Sequence, residues 1–458
     1  MSSIHDFATW APLLGLLRAG NAESLAAPGG HVAGRIGTHG WSVPLPRRLP
    51  PPGRALQTED VQDENDAIQR VQSGLEHAGL ADISFTAEMS PTGRTVLHLL
   101  TAGPSVERGL GPYPGSLILV EGAVPEPWRR LPEPVPGATP APSADPRSLK
   151  RALEERLGGA NGAAEAEIAA AEERLGVALP DELKVLYRVA PPQGRNADYA
   201  TVKRVYEAVG CDVLPLDEVY VADAASRPCP WEHAAMEAVS TPPGAAVQGV
   251  VGSPGWIVFG DNGGGDRIAV DLTPGPRGHV GQIIMLSHET SIGAHLLADS
   301  LTAFVVSGED DADDEDDEDE RPAVARVNIG NLMSIEAAAH PRLEVLSIGV
   351  WEGEPLSLAP VLGLPRLRTL TACPGTLADP LEIAALDGLE FLEVGPVEWR
   401  RLLDAGAVPR SLSAAAIDVP GRGPHPLPIV DLANDILALW DRPPITRTVL
   451  EGDLAPAT

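Results

Sequence analysis

Apolar positions change period repeatedly along this 458-residue chain. Trp10, Leu13, Leu14 and Leu17 recur at helical spacing and predict an opening helix. Residues 20–60 are rich in Gly and Pro and weakly patterned. Asp63–Ala78 predicts a second helix, with Ala67, Val71, Leu75 and Ala78 on one stripe. Ile83–Thr86 and Val96–Leu100 then read as paired strands joined through Ser90–Arg94, with Ser116–Val120 as a third. These pieces predict a small α+β unit over 1–130.

The middle third is patterned more sharply. Ile168, Ala171 and Leu175 fall at i, i+3 and i+7, and Gly176 follows where a left-handed helix cap costs little. Pro180 opens a second helix whose first turn holds Asp181 and Glu182 at the positive dipole end. Leu183, Leu186, Tyr187 and Ala190 form its stripe. Further on, Ile268, Val270 and Leu272 alternate with Arg267, Ala269 and Asp271, so a half-buried strand is expected. It is preceded by a strand ending at Phe259-Gly260 and a Gly-rich turn, and followed by a Gly/Pro turn and another strand. Leu297, Leu301, Phe304 and Val305 predict a closing amphipathic helix.

In the order and separation of these two blocks, residues 147–307 resemble the SUKH superfamily, which includes fungal cell-wall-assembly regulators and bacterial toxin-immunity proteins. The resemblance implies a mixed sheet with packed helices and recognition of a partner protein rather than chemistry.

Beyond 320 the period changes again. LEVLSI, LRTLTA, LEFLEV and LSAAAI begin at Leu343, Leu367, Leu389 and Leu412, separations of 24, 22 and 23 residues. This resembles a degenerate leucine-rich repeat over 323–420, without the usual turn asparagine. Val324, Val327 and Ile329 offer an N-terminal capping unit, and a helix over Ile429–Trp440 closes the other end.

Composition alters this picture in a few ways. Gly (47) and Pro (46) are abundant while aromatics are 4%, so cores must be built from Leu, Val, Ile and Ala. Residues 131–147, LPEPVPGATPAPSADPR, read as an exposed, semi-rigid linker. The net charge is −30; the run Glu309–Glu320 supplies eleven of those charges and leaves −19 without it. That run is too self-repulsive to pack and is expected to be a disordered linker over 308–322. Nucleic acid and anionic membranes would be repelled, while basic proteins would be drawn in. Solubility alone is the blander explanation of the acid. Cys211, Cys229 and Cys373 match neither a disulfide framework nor a zinc site, and no stretch approaches a bilayer span, so a cytoplasmic location is expected.

Local motifs do not add up to a reaction. The turn Gly260–Asp266 carries acids on a flexible backbone, but it fails the EF-hand and phosphate-loop patterns. A structural turn is its simplest reading, ahead of a partner-contact loop and a metal site. His288-Glu289 lacks the second histidine of a metalloprotease helix, since Ile292 stands there. Trp231, Trp256 and Trp351 suit binding hot spots, although large aromatics in such a chain more often anchor a core.

The chain is therefore expected to be a multidomain α+β protein: an α+β region (1–130), a linker (131–147), a SUKH-like domain (148–307), an acidic linker (308–322), a leucine-rich-repeat-like α/β solenoid (323–420), and a capping helix with tail (421–458). It is expected to be non-enzymatic, without cofactor or metal. Trp231, Trp256, Asp261, Asn262, Asp266 and Asp271 are the expected partner-facing residues. The leading functional expectation is an immunity-type protein that neutralises a basic toxin domain; the alternative is an intracellular regulatory scaffold with several clients.

Overall fold

A computed structural model describes residues 3–46, 53, 55, 57–107, 118–120, 122–159, 162–191, 198–307, 323–332, 334–419 and 424–454. The acidic run expected to be disordered lies outside them.

The first stretch alternates helices and strands. The Asp6 carboxylate accepts the Ala8 N–H and starts α1 (Phe7–Gly20). The short α2 (Ala22–Ala26), β1 (Val32–Gly37) and β2 (Gly40–Ser42) occupy the weakly patterned region. The amphipathic α3 (Gln62–Ala78) ends at Gly79, whose φ of 67° needs a residue without a Cβ. Next come β3 (Asp82–Met89), β4 (Arg94–Thr101), β5 (Val106–Glu107) and β6 (Ile118–Val120).

Helices dominate the next stretch: α4 (Glu126–Arg129), α5 (Pro146–Leu157), α6 (Glu165–Leu175), α7 (Asp181–Val189) and α8 (Tyr199–Val209). Short strands β7 (Asp212–Val213) and β8 (Tyr220–Val221) and the turn α9 (Trp231–Ala234) lead into β9 (Trp256–Asp261). Then follow β10 (Arg267–Asp271), β11 (Gln282–Leu286), β12 (His295–Ala298) and α10 (Leu301–Ser307). Leu297, expected in the closing helix, lies in β12 because the chain first completes the sheet edge beside β11.

The final stretch carries β13 (Val324–Val327), α11 (Ile335–Ala338), β14 (Val345–Ile348), β15 (Thr369–Ala372) and β16 (Phe391–Val394). It finishes with α12 (Pro396–Asp404), β17 (Ala414–Ile417), α13 (Pro426–Leu439) and β18 (Thr446–Asp453).

These elements make two compact units: Met1–Ala123 with Pro230–Glu232 and Ala323–Thr458, and Val124–Cys229 with His233–Pro322. The first unit holds two sheets. One is antiparallel, in the order β18-β4-β3-β1-β2, with α1 and α3 on its apolar face. Trp10 and Phe85 meet edge to face there, ring centroids 5.2 Å apart. The other sheet runs β13-β14-β15-β16-β17, all parallel, and continues into antiparallel β6 and β5. Leu346, Leu370, Leu392 and Ala415 stand opposite one another in register and fill one core. Returns between the strands are single helical turns or short helices.

Two expectations change here. Ser116–Val120 was expected to join the strands at 83–86 and 96–100, but β6 pairs with β17 in the parallel sheet. The tail after the capping helix is β18, which pairs with all eight residues of β4. The early and late parts of the chain thus share strands, where separate modules over 1–130 and 323–420 were expected, and they fold as one unit.

In the second unit, the antiparallel sheet β12-β11-β10-β9-β7, with β8 also on β9, has both faces buried. Ile257 and Phe259 pack under α5, α7, α8 and α10, while Trp256 and Val258 face a second apolar cluster. The Pro/Ala stretch 131–147, expected as an exposed, semi-rigid linker, is tied down. Glu133 exchanges hydrogen bonds with the Gln248 side chain at 2.7 Å each way, and the Val280 N–H donates to the Thr139 carbonyl.

Candidate partner-binding site

The acidic turn between β9 and β10 spends its side chains on itself. Asp261 Oδ1 accepts the Gly263 N–H at 2.6 Å, and Asn262 Oδ1 accepts those of Gly264 and Asp266. Asn262 Nδ2 donates to Asp266 at 2.7 Å. The other Asp266 oxygen takes the His288 N–H and lies 2.7 Å from its Nδ1, contacts that hold the Asp266 carboxyl below its ordinary range. Arg267 pairs with Asp261. Gly263 and Gly265 adopt φ of 79° and 108°, which this reversal requires. Among the described residues no group of three His, Cys, Asp or Glu side chains could hold a metal ion.

The remaining expected partner-facing residues are interior. Trp256 is fully buried in the sheet. Asp271, also fully buried, accepts from Thr273 N–H at 2.7 Å and from Gln282 Nε2 at 2.9 Å, and burial pushes its carboxyl up to about 6. Trp231 is 5% exposed; its indole donates to the Ala123 carbonyl and its N–H to Glu107. None of the three presents a surface to a partner, because packing demand in an aromatic-poor chain takes both indoles inward. Asp261, Asn262 and Asp266 are half-buried at the turn.

A more open feature lies elsewhere in this unit. A cleft of about 480 Å³ opens between the α6/α7 pair and the segment Val213–Asp217 that leaves β7. Its walls are largely small or apolar, including Ala163, Ala170, Ala171, Ala190, Leu214 and Leu216. Hydrogen bonds fix its shape. Tyr187 Oη donates to the Leu214 carbonyl at 3.0 Å, and burial raises that hydroxyl's pKa. Arg174 donates to the carbonyls of Val219 and Leu216 at 2.8 and 3.0 Å. At the rim, Glu167 and Asp217 are exposed. Two ion pairs brace the helix pair: Lys184 with Glu172 at 2.7 Å and Arg188 with Glu165 at 2.6 Å.

Sequence reasoning missed this cleft. Its signal is the small-residue face Ala163, Ala170 and Ala171, interrupted only by Glu167 and Arg174. An amphipathic helix usually fills such positions with charge.

Helix pair, acidic hairpin and closing helix occur here in the expected order. Residues 162–307 match the model of the SMI1 / KNR4 family (SUKH-1). The cleft, the acidic turn and α10 all fall within this SUKH-1 stretch. Similar curated proteins are fungal. A Neurospora crassa "Glucan synthesis regulatory protein" is 39% identical over 67 residues, 15% of this chain and 13% of that protein. A Yarrowia lipolytica "KNR4/SMI1 homolog" is 39% identical over 69 residues, 15% of this chain and 10% of its own length. A Schizosaccharomyces pombe "Cell wall biosynthesis/cell cycle regulator smi1" is 46% identical over 55 residues, 12% and 11% of the respective chains. The matched part thus spans roughly a tenth of these relatives' length. Among the described residues, no helix is long and apolar enough to cross a membrane.

Proposed function

We propose that this chain is a non-enzymatic regulatory adaptor whose SUKH-1 domain binds client proteins through the α6/α7 cleft. The observation that carries this reading is the SUKH-1 match together with relatives named as regulators of glucan synthesis, cell-wall biosynthesis and the cell cycle. The cleft supports it physically: an apolar floor supplies affinity, and a polar rim supplies orientation. Its exposed Glu167 and Asp217, on a chain of net charge −30, favour clients with a basic segment flanking an apolar anchor. The parallel β13–β17 array, read as a degenerate leucine-rich repeat, would give the scaffold a second, quasi-repetitive surface. A cytoplasmic location fits this role.

Neutralisation of a basic toxin domain would use the same cleft by steric blockade. The names of the fungal relatives favour the regulator instead. Ala170→Arg and Asp217→Arg, both at exposed positions lining the cleft, fill it or reverse its rim charge. Quantitative affinity capture with full-length chain should lose a defined set of clients in both variants. Identical client sets in wild type and variants would reject the cleft as the docking site.

A further inference from the structure

We propose that β18 is a pairing edge through which two copies of this chain join into one continuous antiparallel sheet. Among the described residues β18 ends its sheet and pairs with no strand but β4. At eight residues it is twice as long as any other described edge strand; β12 and β13 have four, and β2 has three. Proteins blunt such edges with proline, charged side chains (lysine above all) or bulges. β18 carries no proline or lysine, its register with β4 runs unbroken, and its charges, Arg447, Glu451 and Asp453, are of both signs.

The sequence of the strand is complementary to itself. A two-fold axis perpendicular to the sheet must pass through a residue, because antiparallel partners directly opposite each other share a face. Placed on Val449, the axis sets Arg447 against Glu451 at both ends and Val449, 46% exposed, against its twin. Thr448 then faces Leu450 on the other side, and no like charges meet. Moving the axis to Leu450 would keep a charge pair, Arg447 against Asp453, but set Val449 against Glu451, and moving it to Thr448 would set Arg447 against Val449. Val449 is therefore the preferred centre. Glu451 has a neighbour at home in Arg94, 3.5 Å away, but both remain well exposed and free to share.

The test uses the full chain and sedimentation equilibrium up to about 100 µM, where a single-strand interface of modest area should be populated. Wild type should dimerise. Arg447→Glu and Glu451→Arg should each raise the dissociation constant about tenfold or more, since two attractive pairs become repulsive. An equimolar mixture of the two variants should recover near-wild-type association, because each supplies the charges the other lacks. Val449→Cys should cross-link between copies on mild oxidation, against a wild-type control for the native cysteines. Unchanged unfolding midpoints will show that the variants fold. A wild type that stays monomeric, single variants that associate normally, or a mixture that fails to recover would each overturn the proposal.

Discussion

Glu182, in the first turn of α7, caps a helix that begins 119 residues later: its carboxylate accepts the Leu301 and Thr302 N–H groups at 3.3 and 3.1 Å. The Thr302 hydroxyl donates to the same carboxylate. The first turn of a helix leaves N–H groups unpaired, and a buried anion there meets both the donors and the dipole. With Glu182 only 7% exposed, Glu182→Ala strands those donors away from water. It should cost about 2–4 kcal/mol, with Glu182→Gln recovering part. Urea unfolding followed by tryptophan fluorescence measures it, and a change below about 0.5 kcal/mol would refute the capping role.

Gly260 of β9 stands opposite Val213 of β7, and a Cβ there would lie 2.8 Å from Cys211 Sγ. Gly260→Ala should destabilise this unit by about 1–3 kcal/mol through overpacking. Cys211→Ala clears the space, so the double variant should be more stable than the sum of the single effects. A double-mutant cycle by chemical denaturation reads that coupling.

Burial raises the Asp271 carboxyl from 3.8 to about 6, so folding favours its protonated form. Its contribution is fully present below pH 4 and is lost as pH rises through 6. Asp271→Asn should therefore flatten the decline of stability between pH 4 and 7, a difference on the order of 3 kcal/mol across that window. Denaturation midpoints of both proteins at several pH values give the two slopes; parallel slopes would rule the effect out.

Glu393, on β16, behaves similarly. Burial first, then the nearby Asp418 and Glu232 carboxylates, push it up to about 7. Its contribution is fully present below about pH 4.5 and is lost as pH rises through 7. Glu393→Gln should raise the melting temperature at pH 8 and leave it nearly unchanged at pH 4, as scanning calorimetry would register.

Short-range patterns were legible in the sequence. The α6/α7 pair, the Gly176 cap and the β9–β10 turn follow from local spacing and backbone chemistry, and each stands where that spacing puts it. What escaped was long-range. Nothing in Asp181-Glu182 signals that Glu182 serves a distant helix rather than its own. Nothing in TRTVLEGD distinguishes a tail from a strand that completes the first sheet. Two of the expected contacts are interior for a related reason: residue type named Trp256 and Asp271, but the sheet carrying them has apolar clusters on both faces.

The pairing of β18 with β4 also dictates timing. Thr446 lies opposite Thr101, so β4 emerges from the ribosome some 345 residues before its neighbour exists. The SUKH-1 segment, whose strands are all close in the chain, is free to fold during that wait. Until synthesis reaches β18, the outer flank of β4 lacks the strand that covers it in the finished sheet.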